Sequence, residues 1–197
     1  MLKVEACGRN EWGNVVNVLL GPLVHVDFER LTRHVFAASS CGLCGKATIE
    51  AVRGACGRVE SGERVSSAAL SAMPGRMRER QVMFERTGSV HAAALCGVDG
   101  EVVVVREDVG RHNAVDRVIG RAFLDGMSLS ERVLVVSGRI SFEIVQKAVM
   151  AGVPVVAGVS APTSLAVEFA EEMGVTVVGF VREGRMNVYS CAERVIG

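Results

Sequence analysis

The sequence has 197 residues, of which 49% are hydrophobic and 22% charged, so it predicts a folded core rather than disorder or a coiled coil. Its 22 basic and 22 acidic residues leave no net charge, which argues against a general nucleic-acid binder or a polybasic membrane binder. The start of the chain predicts neither a signal peptide nor a targeting helix, and no run of residues is apolar enough to span a membrane. The scattered cysteines indicate a reducing cytoplasm.

Residues 1–38 are predicted to form a short N-terminal β segment. The runs VVNVLL at 15–20 and LVHVDF at 23–28 are rich in β-branched residues and are separated by a Gly-Pro turn signal. Residues 39–60 follow as a glycine-rich loop, SSCGLCGK, and a short helix. A Gly/Ser-rich connection over 53–76 then leads into a helix near residues 66–73.

Residues 61–197 are predicted to form an α/β core. The strands SVHAAALCG and EVVVVRED flank an Asp-Gly turn, which predicts a hairpin. The next segment, 109–126, has the apolar spacing of a helix that ends at Gly126. Beyond it, the apolar strands RVLVVSG, VPVVAGVS and VTVVGFVR alternate with helices of about ten residues, which predicts βαβ units with a buried parallel sheet.

Ligands of such sheets bind outside the carboxyl ends of the strands. This rule selects four polar or glycine-containing segments, which are 106–112, 137–139, 160–163 and 180–185. In the last of them, Arg182 and Arg185 flank a glycine, and arginine binds phosphate and stacks on planar rings. An exposed hairpin turn is the alternative interpretation, just as capping is the alternative for Asp108 and Asn113 at the helix start.

Two thiols lie three residues apart at Cys41 and Cys44. Zinc would need two further ligands, and Cys56 and His34 do not give a recognised spacing. A thioredoxin-like pair would need a sequence context that is missing here, whereas a helix start beside Lys46 would lower a thiol pKa. The pattern therefore favours a nucleophilic thiolate over incidental loop cysteines. His91, within a run of alanines, is interpreted as a core histidine.

Six ordered motifs make the sequence resemble the formate dehydrogenase accessory sulfurtransferase (FdhD) family over about residues 36–190. They are SSCGLCGK, TGSVHAAAL, EDVGRHNAVDRVIG, SGRISFEIVQKA, VSAPTSLAVEFAEEMG and GFVREGRMNVYS. The resemblance implies a cytidine-deaminase-like, three-layer α/β core with a mostly parallel sheet and a homodimer. The N-terminal region is shorter than is usual for the family and is expected to be truncated. Ser89 stands where the family commonly has glycine.

The resemblance also implies a function. A cytoplasmic sulfur carrier of this family takes sulfur from a cysteine desulfurase as a persulfide and passes it to the molybdenum cofactor, bis-molybdopterin guanine dinucleotide, which formate dehydrogenase requires. Cys41 matches the persulfide position, and Cys44 is the second thiol. The cofactor's guanine nucleotide would be held by a segment comprising Phe180, Val181, Arg182, Glu183, Gly184 and Arg185. No structural metal is expected.

Two other functions compete with this interpretation. A zinc hydrolase or deaminase of similar fold would need a Glu two residues after His91 and a Pro-Cys-x-x-Cys motif, and the sequence has neither. A chaperone that binds the cofactor or apo-formate dehydrogenase without moving sulfur is compatible with the same residues.

Overall fold

The computed structural model of the protein describes residues 3–6, 16–26 and 57–197. The chain divides into two compact units, residues 1–38 and residues 39–197. The predictions for Cys41, Cys44 and the helix after them lie outside the described residues. Within the described ranges, no helix is long and apolar enough to cross a membrane.

In the first unit, strand β1 (Lys3–Ala6) pairs in antiparallel register with strand β2 (Val16–Leu19). The strand predicted at 15–20 is therefore confirmed over β2. Residues 23–26 of the second predicted strand do not belong to a strand, and Leu23 is 90% exposed. The prediction was wrong there because β-branched composition does not select a strand's partner, and the ladder of β2 is formed with β1.

The described part of the second unit contains five helices around one large sheet. The helices are α1 (Ser67–Arg78), α2 (Val82–Thr87), α3 (Arg111–Leu124), α4 (Phe142–Ala151) and α5 (Ser164–Met173). The strands of the large sheet are β4 (His91–Gly97), β5 (Val102–Asp108), β6 (Arg132–Val136), β7 (Val155–Gly158), β8 (Thr176–Arg182) and β9 (Arg185–Ser190). Two short strands, β3 (Val65–Ser66) and β10 (Val195–Ile196), pair in parallel, with a 3₁₀ turn (Ala192–Arg194) before β10.

The strand order in the large sheet is β5-β4-β6-β7-β8-β9. Strands β6, β7 and β8 are parallel, whereas β4 is antiparallel to both of its neighbours and β9 is antiparallel to β8. The predicted hairpin of β4 and β5 is confirmed, with Gly100 at φ +84° in its turn. The predicted parallel character therefore holds for the centre of the sheet, while both edges are antiparallel.

The sheet has helices on both faces, so the predicted α/β class and the three layers are confirmed. On one face, α3, α4 and α5 bury a cluster that includes Phe169, Leu134 and Ile144. On the other face, α1 buries Leu70, Met73 and Met77 against the opposite side chains of the strands. The continuous apolar strands recognised in the sequence are buried because both of their faces are covered.

Helix α1 is longer than the sequence predicted, since it continues through Pro74 to Arg78. Proline inside a helix removes one backbone hydrogen bond and is normally read as a helix end. Here the completely buried Met73 and the nearly buried Met77 lie on either side of the proline and pack under the sheet. Burial of these two side chains keeps the last turn helical, and tertiary packing overrides the local signal.

Candidate functional site

The carboxyl ends of β6, β7 and β8 meet at one edge of the sheet. The antiparallel β4 starts at this same edge with His91. Helices α3, α4 and α5 each follow a strand that ends there, so their first residues lie along it. Helix N-termini carry partial positive charge, and this edge therefore favours an anionic ligand.

A cavity of about 660 Å³ lies between this edge of the sheet and the wall formed by α1 and α2. Its volume is within the range of about 300–1,000 Å³ that small-molecule sites occupy. Its lining residues are Ser71, Ala72, Pro74, Gly75, Met77, Arg78, Gln81, Phe84, Gly88, Ser89, Val90, His91, Ser137, Val159, Val181, Arg182 and Glu183. The lining is mostly apolar, with two arginines and one glutamate among its charged groups, so it suits a ligand with a planar ring and an anionic end.

Half of the predicted nucleotide segment lines this cavity. Val181, Arg182 and Glu183 contribute to the wall, whereas Phe180, Gly184 and Arg185 do not belong to the lining. The two-residue turn at 183–184, with Gly184 at φ +69°, joins β8 to β9, as in the alternative interpretation of the motif as a hairpin. The segment is therefore both a hairpin and, on one side, part of a cavity wall.

A bulge in β8 directs this segment toward the cavity. Gly179 pairs with Asn187 and Arg182 with Arg185, so two residues of β8 face a single residue of β9. Within the bulge, Phe180 takes a left-handed backbone conformation with φ +52°, and its N–H donates to the Ser160 carbonyl at 3.2 Å. Non-glycine residues with positive φ are uncommon and cluster at functional sites.

Gly179 allows the bulge because its neighbours leave no room for a side chain. A Cβ at this position would lie 2.9 Å from Pro162 Cδ, 3.0 Å from Tyr189 Cε2 and 3.2 Å from the Ser160 carbonyl oxygen.

We expect Gly179→Ala to lower the free energy of unfolding by about 1–3 kcal/mol, measured by urea denaturation. Gly120→Ala is the control, since a Cβ there meets nothing within 4 Å inside α3; it is expected to stabilise the protein by about 0.5–1 kcal/mol. Equal stability of Gly179→Ala and wild type would contradict the steric argument.

The helical wall contributes residues that the sequence analysis did not identify. Arg78, at the end of α1, places its guanidinium carbon 4.1 Å from the centre of the Phe84 ring of α2. Both residues line the cavity, as does the buried amide of Gln81. The sequence analysis assigned no helix to their segment, 76–88, which mixes polar and apolar residues, and nothing in its spacing indicates that α2 covers the edge of the sheet.

His91 and Ser137 also line the cavity. His91 is only half-buried, so its interpretation as a core histidine was wrong. The cause is the strand direction: His91 is the first residue of β4, which starts at the edge where the parallel strands end. Ser137 was a predicted contact residue, and its Oγ accepts the Ala92 N–H at 2.8 Å, which fixes the hydroxyl at the strand end.

The motif at 107–113 mainly organises the start of α3. Asp108 Oδ1 accepts from the Gly110 N–H at 3.0 Å and from the Asn113 side chain at 3.2 Å. The hydrogen bond from Gly110 is the main cause that lowers the pKa of Asp108. His112 Nε2 lies 3.0 Å from Ser141 Oγ and 3.7 Å from Glu143 Oε2, and burial lowers the pKa of His112. The N-cap position of α3 is Gly110, and no side chain there accepts a first-turn N–H, so the interpretation of Asp108 or Asn113 as the helix cap was wrong; Asp108 instead holds the turn that precedes the helix.

Two of the six cysteines lie among the described residues, and neither is suited to nucleophilic chemistry. Cys96 lies in the core, where burial raises its pKa to about 12. Burial also raises the pKa of Cys191, and the Glu171 carboxylate adds to the effect. Both thiols are therefore protonated at pH 7, and a protonated thiol is a poor nucleophile. Within the described ranges, no group of three or more His, Cys, Asp and Glu residues could hold a metal ion.

The fold and the cavity together define an α/β protein with a mostly apolar cavity, lined by two arginines and one glutamate, at the carboxyl edge of its sheet. The profile of the FdhD/NarQ family matches residues 4–196 of the chain. The chain belongs to this family, and the predicted resemblance is confirmed.

Curated relatives of high identity carry the name sulfur carrier protein FdhD. The protein from Streptomyces coelicolor is 54% identical over 193 residues, covering 95% of this chain and 68% of the relative. The protein from Mycobacterium tuberculosis is 50% identical over 206 residues, covering 99% of this chain and 75% of the relative. A crystal structure of a candidate formate dehydrogenase accessory protein from Desulfotalea psychrophila shares 28% identity and a TM-score of 0.66, over 72% of this chain and 60% of that one.

Proposed function

We propose that this protein is a sulfur carrier, acting as a sulfurtransferase, that serves formate dehydrogenase. The observation that carries the proposal is the 54% identity, over 95% of the chain, to a relative named sulfur carrier protein FdhD. The raised pKa values of Cys96 and Cys191 support the proposal indirectly. They remove these two thiols as sulfur acceptors and leave Cys41 and Cys44 as the close pair that the sequence offers.

The sulfur is accepted on Cys41. Its thiolate attacks the terminal sulfur of a persulfide on a cysteine desulfurase; a new S–S bond forms as the donor's S–S bond breaks, and the donor leaves as a thiolate. Cys41 then holds a persulfide. Cys44 is three residues away in the sequence and supplies the second thiol. Attack of its thiolate on the Cys41 sulfur releases sulfide and leaves a disulfide between the two cysteines; a thiol reductant then reduces this disulfide before the next sulfur is accepted.

The substrate that receives the sulfur is the molybdenum cofactor, bis-molybdopterin guanine dinucleotide, before its insertion into formate dehydrogenase. One guanine nucleotide end occupies the cavity at the carboxyl edge. Arg78 and Arg182 line this cavity and can bind phosphate oxygens as planar forks. Glu183 also lines it, and its carboxylate can accept hydrogen bonds from the N–H groups of guanine. Binding energy from this remote end positions the reacting metal centre.

The partners follow from this chemistry. A cysteine desulfurase donates the sulfur, and formate dehydrogenase receives the sulfurated cofactor. A reducing cytoplasm keeps the acceptor thiols free for exchange. We extend the proposal to a homodimer, as the family resemblance implies.

The test combines two measurements on the purified protein. After incubation with a cysteine desulfurase and cysteine, intact-mass spectrometry is expected to show the gain of one sulfur atom, which a reductant removes. Calorimetry with guanosine diphosphate (GDP) as the probe for the cofactor's nucleotide end is expected to show binding, with weaker binding of adenosine diphosphate. GDP binding without any sulfur gain would overturn sulfur transfer and identify a chaperone that only holds the cofactor.

A further inference from the structure

Glu107, near the end of β5, binds the start of helix α2. Its Oε2 accepts the Met83 N–H and its Oε1 accepts the Phe84 N–H, both at 2.8 Å. Gln81, the residue that precedes α2, gives no side-chain capping hydrogen bond. The carboxylate of a distant strand residue therefore caps this helix, and bonds to a charged acceptor are stronger than neutral ones.

Helix α2 carries Phe84 into the wall of the cavity, and the Phe84 ring supports Arg78. The guanidinium carbon lies 4.1 Å from the ring centre, within the distance of a cation–π contact. Arg78 has a long side chain that would otherwise lose rotamer freedom when a ligand binds. A ring held in place beneath it reduces that loss, because the guanidinium is already ordered in the free protein.

The backbone of Glu107 is anchored to helix α3. Its carbonyl oxygen accepts a hydrogen bond from the Arg117 side chain of α3 at 2.8 Å, and Arg117 also contacts the neighbouring Asp108 at 3.4 Å. The side chain of Glu107 is half-buried. This residue thus connects α3, on one face of the sheet, with α2, on the wall of the cavity.

We propose that Glu107 is a positioning residue for the nucleotide: through α2 and Phe84 it holds Arg78 ready for the ligand's phosphate. The inference rests on the proposed function for the identity of the ligand. It assigns a role to a residue that does not line the cavity.

The test is a double-mutant cycle on GDP affinity with wild type, Glu107→Gln, Arg78→Ala and the double variant. Glutamine keeps the shape but presents an N–H₂ group to one of the two backbone N–H donors, so we expect about tenfold weaker binding of GDP. Because both residues act through the same guanidinium, the double variant is expected to bind GDP as weakly as Arg78→Ala alone. Glu101→Gln is the matched control, since Glu101 pairs with Arg76 at an exposed site outside the cavity.

A second measurement uses the ligand-free protein. Hydrogen exchange at the Met83 and Phe84 amides is expected to accelerate in Glu107→Gln and to stay unchanged in Glu101→Gln. Additive losses of affinity, or unchanged exchange at both amides, would overturn the role of Glu107 in a protein that binds GDP. Failure of the wild-type protein to bind GDP would overturn the proposed ligand and with it this role. If Glu107→Gln does not fold, Glu107→Asp, which retains the charge but is shorter, replaces it in both measurements.

Discussion

The Cys41→Ala variant is expected to gain no sulfur atom from a cysteine desulfurase. It is also expected to activate formate dehydrogenase no more than is seen without the carrier. The physical reason is that the thiolate is the nucleophile in sulfur exchange, and an alanine side chain offers none. Intact-mass spectrometry measures the first effect. Activity of formate dehydrogenase matured with each variant measures the second. Cys44→Ala is expected to keep the sulfur gain but to release sulfide more slowly.

Cys96→Ala is the matched control for this prediction. It removes a thiol that is fully buried and whose pKa is raised to about 12, so it is expected to leave both the sulfur gain and the activation unchanged. The thermal midpoint of Cys41→Ala should match that of wild type. A sulfur gain that persists in Cys41→Ala would refute the assignment of the acceptor.

The layered core could be predicted because its signals are local. The β4–β5 hairpin follows from an Asp-Gly turn between two β-branched runs, and each of the strands β6, β7 and β8 is a short apolar run. The directions of the outer strands have no comparable local signal in the sequence. The direction of a strand depends on its connections, and the antiparallel β4 places His91 at the edge where the parallel strands end, although its alanine neighbours suggested a core position.

The cavity could be predicted only on its strand side. Arg182 was found because the residues after parallel strands converge at one edge. Arg78 and Phe84 belong to helices whose position over that edge is a tertiary feature, set by burial of Met73 and Met77 and by the capping contact of Glu107. Pro74 concealed the last turn of α1, and the mixed composition of the residues after it concealed α2, since neither property reports where a segment packs.

Arg182→Ala is expected to weaken GDP binding by about ten- to a hundredfold, because a phosphate bound by a charged donor loses about 1.5–3 kcal/mol when that donor is removed. Calorimetry with GDP measures the change. The sequence motif contains a second arginine, Arg185, which the structure keeps out of the cavity lining. Comparing the Arg182 and Arg185 variants therefore shows whether GDP binding depends on the cavity or on the sequence motif as a whole.

If the cavity is the nucleotide site, Arg185→Ala binds GDP within about twofold of wild type, as expected for loss of an exposed charge outside the site. Equal losses in the two variants would instead favour a site on the outer face of the β8–β9 hairpin. A loss in Arg185→Ala alone would refute the cavity as the site. Both arginines are exposed, so neither substitution is expected to disturb folding, and urea denaturation of the two variants checks that the affinities compare folded proteins.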